Sequence, residues 1–503
     1  MSWRDETITA ARLDEYDIAV IGGGINGACL FDLLCRRGYR TILLEKGDFA
    51  GGTSQASAMM IWGGLLYLRN LDIPSVISFS RSRDQMIRNM SDWVAPRRFR
   101  FLPAQKGLLS RGPILSAMYL YWLLGCCNRK RPALEPRFPE QDRLTHPCSG
   151  LLFEEGMLRG SDSRFVLHWL TKKRLPQQTA LNYCQFKGGA YQKKERLWHL
   201  MACDRISGRE IEIRAGAVIN CAGVWTDRVN RSMNISSPYR HVFSKGVFIG
   251  FQRAADQATP LIFVMQEHND VILSIPWGPV SLWGPTEETV ADIEQGFAVS
   301  ADDMHFLLEQ YHHHMKSVPG RDDIVSLRCG LRPLAVKKGY HEETYPLDLS
   351  RGFKVAVDTD VPWVSVYGGK ITGCSRAAAV VADRAATLIG PPFHSADLVT
   401  DTGAVEQQQP ETTEYPGLSE PVPTVEWSMK HEHCHTLSDY LRRRTNIAQW
   451  VPRQGLGRRD ENREYLRSLC LTLAGGDIET ADRELETYCR QVEIRFDRIL
   501  EQL

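Results

Sequence analysis

Apolar and polar positions change rhythm sharply near the start of the chain. Ile18–Ile21 is an unbroken apolar run, the pattern of a parallel strand buried on both faces. Gly22-Gly23-Gly24-Ile25-Asn26-Gly27 interrupts it. Ala28–Arg37 then reads as a helix stopped by Gly38, and Arg40–Leu44 as a second strand closing on Glu45. Together these predict a βαβ unit of about 30 residues. Further strands are predicted at Ala217–Asn220, Val247–Phe251, Val271–Ile275, Val280–Trp283 and Trp363–Tyr367, and an Ala-rich helix at Ser375–Leu388 after Gly368-Gly369-Lys370. No internal repeat is evident. Asp401–Thr424 has four Pro, three consecutive Gln and five acidic residues without Lys or Arg, which reads as a linker or loosely packed crossing segment. Val425–Leu503 reads as helices of mixed charge, such as Asp477–Leu500, forming a separate C-terminal helical domain.

Composition narrows the class. In 503 residues, 43% are apolar, 9% aromatic and 24% charged, which excludes a wholly disordered or fibrous chain and suffices for a large core. Lys plus Arg is 61 against 60 for Asp plus Glu, so nothing in the charge balance calls for nucleic acid as a partner. The 13 Cys are odd in number and irregularly spaced, with Cys126–Cys127 vicinal and no CxxC pair. That usage predicts reduced, buried thiols in a cytoplasmic protein. Met1–Tyr16 is polar and charged, so no signal peptide is expected, and no apolar window is long enough for a spanning helix.

Gly22, Gly24 and Gly27 fit G-x-G-x-x-G. Glycine allows the tight turn and lets a pyrophosphate approach the backbone, and the N-terminus of the following helix stabilises the anion. Glu45, eighteen residues after Gly27, can accept hydrogen bonds from ribose hydroxyls. Strand before, helix after, second strand and terminal acid are all present. The fingerprint by itself leaves NAD and FAD both open, and a glycine-rich turn without a ligand is the alternative.

Later segments add a family likeness. Asp17–Gly27, Thr53-Ser54, Gly63-Gly64-Leu65 and Tyr67-Leu68 resemble the flavin-binding start of the FAD-dependent glycerol-3-phosphate dehydrogenases. Ile219–Trp225 is similar to the second flavin motif of the wider D-amino-acid-oxidase-like flavoproteins. Ile275-Pro276-Trp277, Gly284-Pro285-Thr286, Gly330–Leu334 and Tyr367–Thr372 match further motifs in order, and His431-Glu432, Thr436, Asp439 and Leu441–Thr445 resemble the C-terminal helical part. The resemblance implies an α/β fold: a Rossmann-type FAD-binding domain, an interleaved antiparallel-sheet substrate domain and a C-terminal helical domain. An oxidoreductase core over 15–400 would take its FAD-binding segments from about 15–75, 150–235 and 330–400 and its substrate segments from 76–149 and 236–329, followed by the linker 401–424 and the helical domain 425–503.

The resemblance also implies roles. Gly22, Gly24, Ile25, Asn26, Gly27, Glu45 and Lys46 would hold the ADP half of FAD, and Thr53 and Ser54 the pyrophosphate and ribityl chain. Gly63, Gly64, Ala222 and Gly223 would complete the cofactor contacts, with Gly368, Gly369, Lys370, Ile371 and Thr372 at the isoalloxazine. A cation there stabilises anionic reduced flavin. Arg332 and Arg351 match substrate-binding arginines, suited to a phosphomonoester because a planar guanidinium grips two oxygens. The implied reaction is hydride transfer from sn-glycerol 3-phosphate, or a related hydroxy or phosphorylated compound, to flavin N5, giving dihydroxyacetone phosphate from the former. Electrons would leave to a quinone or another acceptor, and a homodimer is a further expectation.

One segment departs from the family. Where its members carry a Lys, a His and an Arg around the Gly-Gly pair, this chain has Met59, Trp62 and Leu66. Trp62 cannot form the covalent flavin bond that a His makes in some relatives, so FAD is expected to be non-covalent. The proton acceptor would be Lys370, Tyr67 or a water. An apolar wall of Met59, Trp62 and Leu66 keeps two alternatives open: an oxidase or dehydrogenase of an amine, amino acid or phosphonate, and a flavin-binding protein that has lost the ancestral reaction.

Other clusters point less far. His431 and His435 form an i, i+4 pair on a predicted helix, read as a solvated face in preference to a metal site, and no metal is expected. His312-His313-His314 reads as loop or exposed helix. Ile114–Cys127, apolar and flanked by Arg111, Arg129, Lys130 and Arg131, suits either a helix lying in a membrane interface or a buried helix. A peripheral position on the cytoplasmic membrane face through residues 111–131 follows from the first reading.

Overall fold

A computed structural model describes residues 3–107, 109–171, 178–265, 270–317, 319–340, 349, 351–392 and 409–503. They divide into two compact units, each assembled from three stretches of chain: the described residues of Met1–Gln55, Asp162–Ser244 and Leu331–Gln409, and those of Ala56–Ser161, Lys245–Gly330 and Pro410–Leu503.

The first unit is built on a largely parallel sheet with strand order Phe353–Val357, Trp363–Gly368, Glu210–Asn220, Glu15–Ile21, Thr41–Leu44 and Gln178–Leu181, only the first pairing antiparallel. Ile18, Ala19 and Val20 are fully buried, as a strand with both faces covered requires. Ile21 pairs with Leu44 on one side and Asn220 on the other, so the carboxyl ends of these strands stand level, where open α/β sheets bind ligands. The fingerprint helix Ile25–Arg36 packs beside Cys374–Ile389, whose buried face of Ala377, Ala378, Ala382 and Ala385 permits close approach. A hairpin, Cys184–Gln192 with Leu197–Asp204, extends the sheet from Glu210–Asn220.

The second unit is built on a mainly antiparallel sheet ordered Glu288–Val290, residues 245–252 of the strand Tyr239–Gln252, Val280–Gly284, Val271–Trp277, Leu261–Val264, Val94–Leu102, Gly150–Leu158 and Met60–Ile61. Its helices include Ile73–Asn89, Arg111–Leu124 and Ala301–His314. Residues 56–75, expected with the cofactor segments, belong to this unit. So do the helices of 425–503, read in the sequence as a domain of their own. The reason lies in their apolar stripes. Ala481, Leu485, Tyr488 and Val492 on Ile478–Val492 join Leu441 and Leu466 in one core with Val247, Ile249, Trp283 and Met304. Of the linker, 401–408 lie outside the described residues. The part that follows pairs Thr412–Thr413 with Val422–Pro423 and buries Tyr415, whose hydroxyl donates to the Gly455 carbonyl at 2.8 Å.

Two histidine readings change. The helix carrying His431 ends at Glu432, with His433 left-handed at φ 53°, so His431 and His435 share no helix face. Arg444 caps that end by donating to the carbonyls of Glu432 and His433. No group of His, Cys, Asp and Glu suited to a metal ion occurs among the described residues. His312–His314 close the helix Ala301–His314, and His314 turns inward, 4.9 Å from the Phe263 ring. Arg111–Leu124 buries Ile114, Met118 and Tyr121 while Leu120 and Leu123 stay exposed. No described helix is long and apolar enough to cross a membrane.

Burial, assisted by His313 and His146, pushes the His314 imidazole down to about 4. A depressed imidazole means the unfolded chain takes up the proton first as pH falls below about 6.5. Stability from a neutral His314 is therefore full above that value and is lost progressively towards pH 4. His314→Gln should flatten this slope. Between pH 7 and pH 5 the natural chain should lose roughly 1–2 kcal/mol more stability than the variant, read from urea unfolding at the two pH values.

Candidate cofactor and active site

The turn between the first strand and its helix is as tight as a peptide chain allows. Gly22 donates its N–H to the Leu44 carbonyl at 2.8 Å and holds φ 107°. A Cβ there would lie 2.5 Å from the Cys221 carbonyl oxygen, and a Cβ on Gly27 would lie 1.9 Å from the Gly22 oxygen. Gly24 occupies the N-cap in extended conformation and brings no side chain, and no acid stands in the first turn. The helix therefore presents its positive end with nothing anionic in its own first turn. Ser54 reaches this end, its Oγ accepting from Ile25 N–H at 3.0 Å, and Thr53 donates to the Leu331 carbonyl at 2.5 Å.

Glu45 is held at the strand end by two amides, Gly23 N–H at 2.7 Å and Gly47 N–H at 2.8 Å. Burial raises its carboxyl above the ordinary range, and the two amides oppose that rise only in part. Lys46 places its Nζ 3.4 Å from the centre of the Trp225 ring. Trp225 ends the short turn Gly223–Trp225, which begins where Ala222 N–H donates to Asn220 Oδ1 at 3.1 Å. Gly223 holds φ 58°.

A second glycine turn follows Trp363–Gly368. Gly368 and Gly369 have φ 67° and 100°, and a Cβ on Gly368 would meet the Gly352 oxygen at 2.8 Å. Asn26, in the fingerprint itself, donates from Nδ2 to the Gly368 carbonyl at 3.1 Å. Lys370, half-buried, precedes the turn Ile371–Gly373, in which Thr372 is buried. Arg332 is half-buried and donates to Ser244 Oγ at 3.1 Å; Arg351 is half-buried as well. The first unit thus holds, in one body, every expected cofactor residue except Gly63 and Gly64, together with both arginines.

Two residues here carry no sequence signal. Gly368 N–H donates to His241 Nε2 at 3.0 Å, and Asp227 Oδ2 stands 3.4 Å from His241 Nδ1. Burial works to raise the Asp227 carboxyl, but the His241 ring and main-chain N–H outweigh it and hold it below its ordinary value. An isolated His and Asp fourteen positions apart match no motif; only the fold brings them together.

Met59, Trp62, Gly63, Gly64, Leu66 and Tyr67 lie in the second unit. Met59 is fully buried at φ 58°, its carbonyl accepting from Leu158 N–H at 2.9 Å. Trp62 packs edge-on against Phe153 at 6.0 Å, Leu66 is half-buried, and the Tyr67 ring lies 5.8 Å from Phe79. Gly63 donates its N–H to Glu155 Oε2 at 3.0 Å, and a Cβ on it would lie 2.0 Å from the Tyr121 hydroxyl. Glu155 is paired at 3.0 Å with Arg83, which also meets Asp84 at 2.8 Å, all three nearly inaccessible. Gly64 holds φ 93°, with the Tyr67 ring 2.6 Å from where its Cβ would be.

Comparison with known proteins agrees with this geometry. The family model described as FAD dependent oxidoreductase matches residues 17–356. A curated protein of Pseudomonas tolaasii named glycerol-3-phosphate dehydrogenase is 28% identical over 372 residues, 73% of this chain and 71% of its own. The aerobic glycerol-3-phosphate dehydrogenase of Escherichia coli (strain K12) is 28% identical over 411 residues, 78% of each chain. In fold, the chain is similar to a solved glycerol-3-phosphate dehydrogenase of Bacillus halodurans complexed with FAD, with TM-score 0.68 and 17% identity, covering 99% of this chain and 97% of that one.

Gly27→Ala tests the turn. No rotamer relieves a Cβ set 1.9 Å from a backbone oxygen, so the helix must move from the strand and the cradle opens. The variant should purify with less than about a tenth of the natural flavin content, a loss exceeding ~1.4 kcal/mol, read from visible absorbance against protein.

Proposed function

Since the chain belongs to the family of FAD-dependent oxidoreductases, we propose that it is a dehydrogenase acting on sn-glycerol 3-phosphate, or on a related hydroxy or phosphorylated compound. The observation that carries this reading is the gathering of Gly22–Gly27, Gly368–Thr372 and Arg332 in one unit, with Asn26 bonded to Gly368. The glycine cradle and the open helix N-terminus suit a pyrophosphate. Gly22, Gly24, Ile25, Asn26, Gly27, Glu45, Lys46, Thr53, Ser54, Ala222 and Gly223 would hold the ADP half and ribityl chain, and Gly368–Thr372 the ring. FAD supplies a two-electron acceptor for hydride.

The rest falls to side chains. Lys370 provides a cation at the ring's pyrimidine edge. Arg332, with Arg351, grips the phosphate oxygens of the substrate. Lys370, Tyr67 or a water takes the hydroxyl proton. Electrons pass on to a quinone or another acceptor. Exposed Leu120 and Leu123 on Arg111–Leu124, near Arg129 and Lys130 in sequence, support a peripheral contact with the cytoplasmic membrane face. A homodimer belongs to the same reading.

Met59, Trp62 and Leu66 favour a second reading, in which the donor is a less charged amine, amino acid or phosphonate, or turnover is lost. Met59 is fully buried and Trp62 is packed on Phe153, so neither position offers the polar group that the family resemblance leads one to expect.

Anaerobic titration of the holoprotein separates them. Bleaching of the visible flavin band by one equivalent of sn-glycerol 3-phosphate is expected. Arg332→Met should raise the concentration needed by roughly ten- to a hundredfold, the loss of a charge-assisted bond of about 1.5–3 kcal/mol. Flavin that stays oxidised with this donor but bleaches with an amino acid would establish the second reading.

A further inference from the structure

His241 lies on the strand Tyr239–Gln252 with its side chain wholly buried. A buried imidazole needs partners for both ring nitrogens. Nε2 accepts the Gly368 N–H at 3.0 Å, so that nitrogen carries the lone pair. In the neutral ring the proton is then on Nδ1, facing Asp227 Oδ2 at 3.4 Å. The same carboxylate oxygen accepts the main-chain N–H of His241 at 2.9 Å, which fixes strand and ring together. The ring packs on Tyr367 at 4.9 Å, and the Tyr367 hydroxyl accepts from Asn230 Nδ2 at 2.8 Å.

Gly368 is thereby gripped at both ends. Its N–H is bound by His241 and its carbonyl by Asn26, while φ 67° and the nearby Gly352 carbonyl oxygen bar any side chain. The two grips come from different places, one from the fingerprint helix and one from the strand that follows Asp227. A glycine pair is otherwise among the most pliable pieces of backbone.

We propose that Asp227 and His241 are positioning residues: the carboxylate sets the imidazole tautomer, and the imidazole fixes the Gly368-Gly369-Lys370 backbone that borders the flavin ring. The inference rests on the reading that this turn flanks the isoalloxazine. Neither residue touches cofactor or substrate in this role. Both act through one backbone hydrogen bond, so what they control is the placement of the amides and the Lys370 charge at the ring.

The test compares variants that keep volume but differ in having an acceptor. His241→Phe keeps a ring against Tyr367 but accepts no hydrogen bond, whereas His241→Gln extends an oxygen to about the reach of Nε2. The natural holoprotein and each variant are followed by FAD release on serial dilution, by the visible flavin spectrum and by the flavin midpoint potential. His241→Phe should release FAD at about tenfold higher protein concentration and shift both band and potential. His241→Gln should restore most of each, and Asp227→Asn should fall between. If the Phe ring disrupts folding, His241→Met, close to Gln in length but without the oxygen, takes its place. Lys370→Met, read in the same three ways, guards the premise. Unchanged release, spectrum and potential in the acceptor-less variants, with a clear shift in Lys370→Met, would overturn the positioning role alone. No shift in Lys370→Met either would overturn the placement of the turn beside the flavin, and the role with it.

Discussion

The close approach of Gly27 to the Gly22 carbonyl oxygen is the constraint on which the first unit turns. A Cβ at 1.9 Å is an overlap that no rotamer choice can relieve. Because the helix begins that near its strand, its first turn follows closely on the carboxyl end of Ile21, which is paired with Leu44 and Asn220. Glu45 follows Leu44 directly and Ala222 stands two residues past Asn220, so an acid and a backbone turn both arrive at this edge of the sheet. Moving the helix outward by the size of a methyl group would part these elements, although each would still be well formed.

Asn26 and His241 extend that precision across the sheet. The Gly368 turn lies at the end of a strand two places from the fingerprint strand, with Glu210–Asn220 between them. Parallel register alone sets strand ends within a residue or so, while hydride chemistry needs placement within fractions of an ångström. Two hydrogen bonds to one peptide segment, from the fingerprint itself and from a buried imidazole, close that gap. In the neutral ring, the carboxylate facing Nδ1 selects the tautomer that leaves Nε2 as the acceptor. That arrangement is the one by which second partners orient a metal-bound histidine, here directed at a backbone amide.

What could be read in the sequence follows from how far apart the determinants lie. The βαβ unit was legible because strand run, glycines, helix and acid all fall within Asp17–Glu45. Strand predictions such as Trp363–Tyr367 and Val280–Trp283 were close because those strands are buried at every position and apolar but for one serine each, Ser365 and Ser281. The hairpin Cys184–Gln192 with Leu197–Asp204 escaped notice because polar residues cover its exposed face and no tight two-residue turn marks it. The C-terminal helices have clear amphipathic stripes, but a stripe states only that a partner exists. That the partner is a core containing Trp283 and Met304 depends on tertiary packing. Asp227 and His241 were illegible for the same reason, since their pairing is made by the turn of chain between them.

The segment from Met59 to Tyr67 joins a charged, hydrogen-bonded frame to apolar side chains. Gly63 is hemmed in by the Tyr121 hydroxyl, Arg83 and Ser80, and its amide is bound by Glu155. Burial alone would weaken the charge on Arg83; Glu155, Tyr121 and Asp84 outweigh it and keep the guanidinium firmly charged. Removing one member of such a cluster strands a buried charge at several kcal/mol, so the cluster resists piecemeal change. Met59, Trp62 and Leu66 lie on the same stretch of backbone, and Trp62 packs edge-on against Phe153. An apolar contact can be exchanged at far lower cost than a member of a buried ion network. The backbone of this segment is thus pinned by charge at Gly63, while buried Met59 and Trp62, packed on Phe153, flank it through apolar contact.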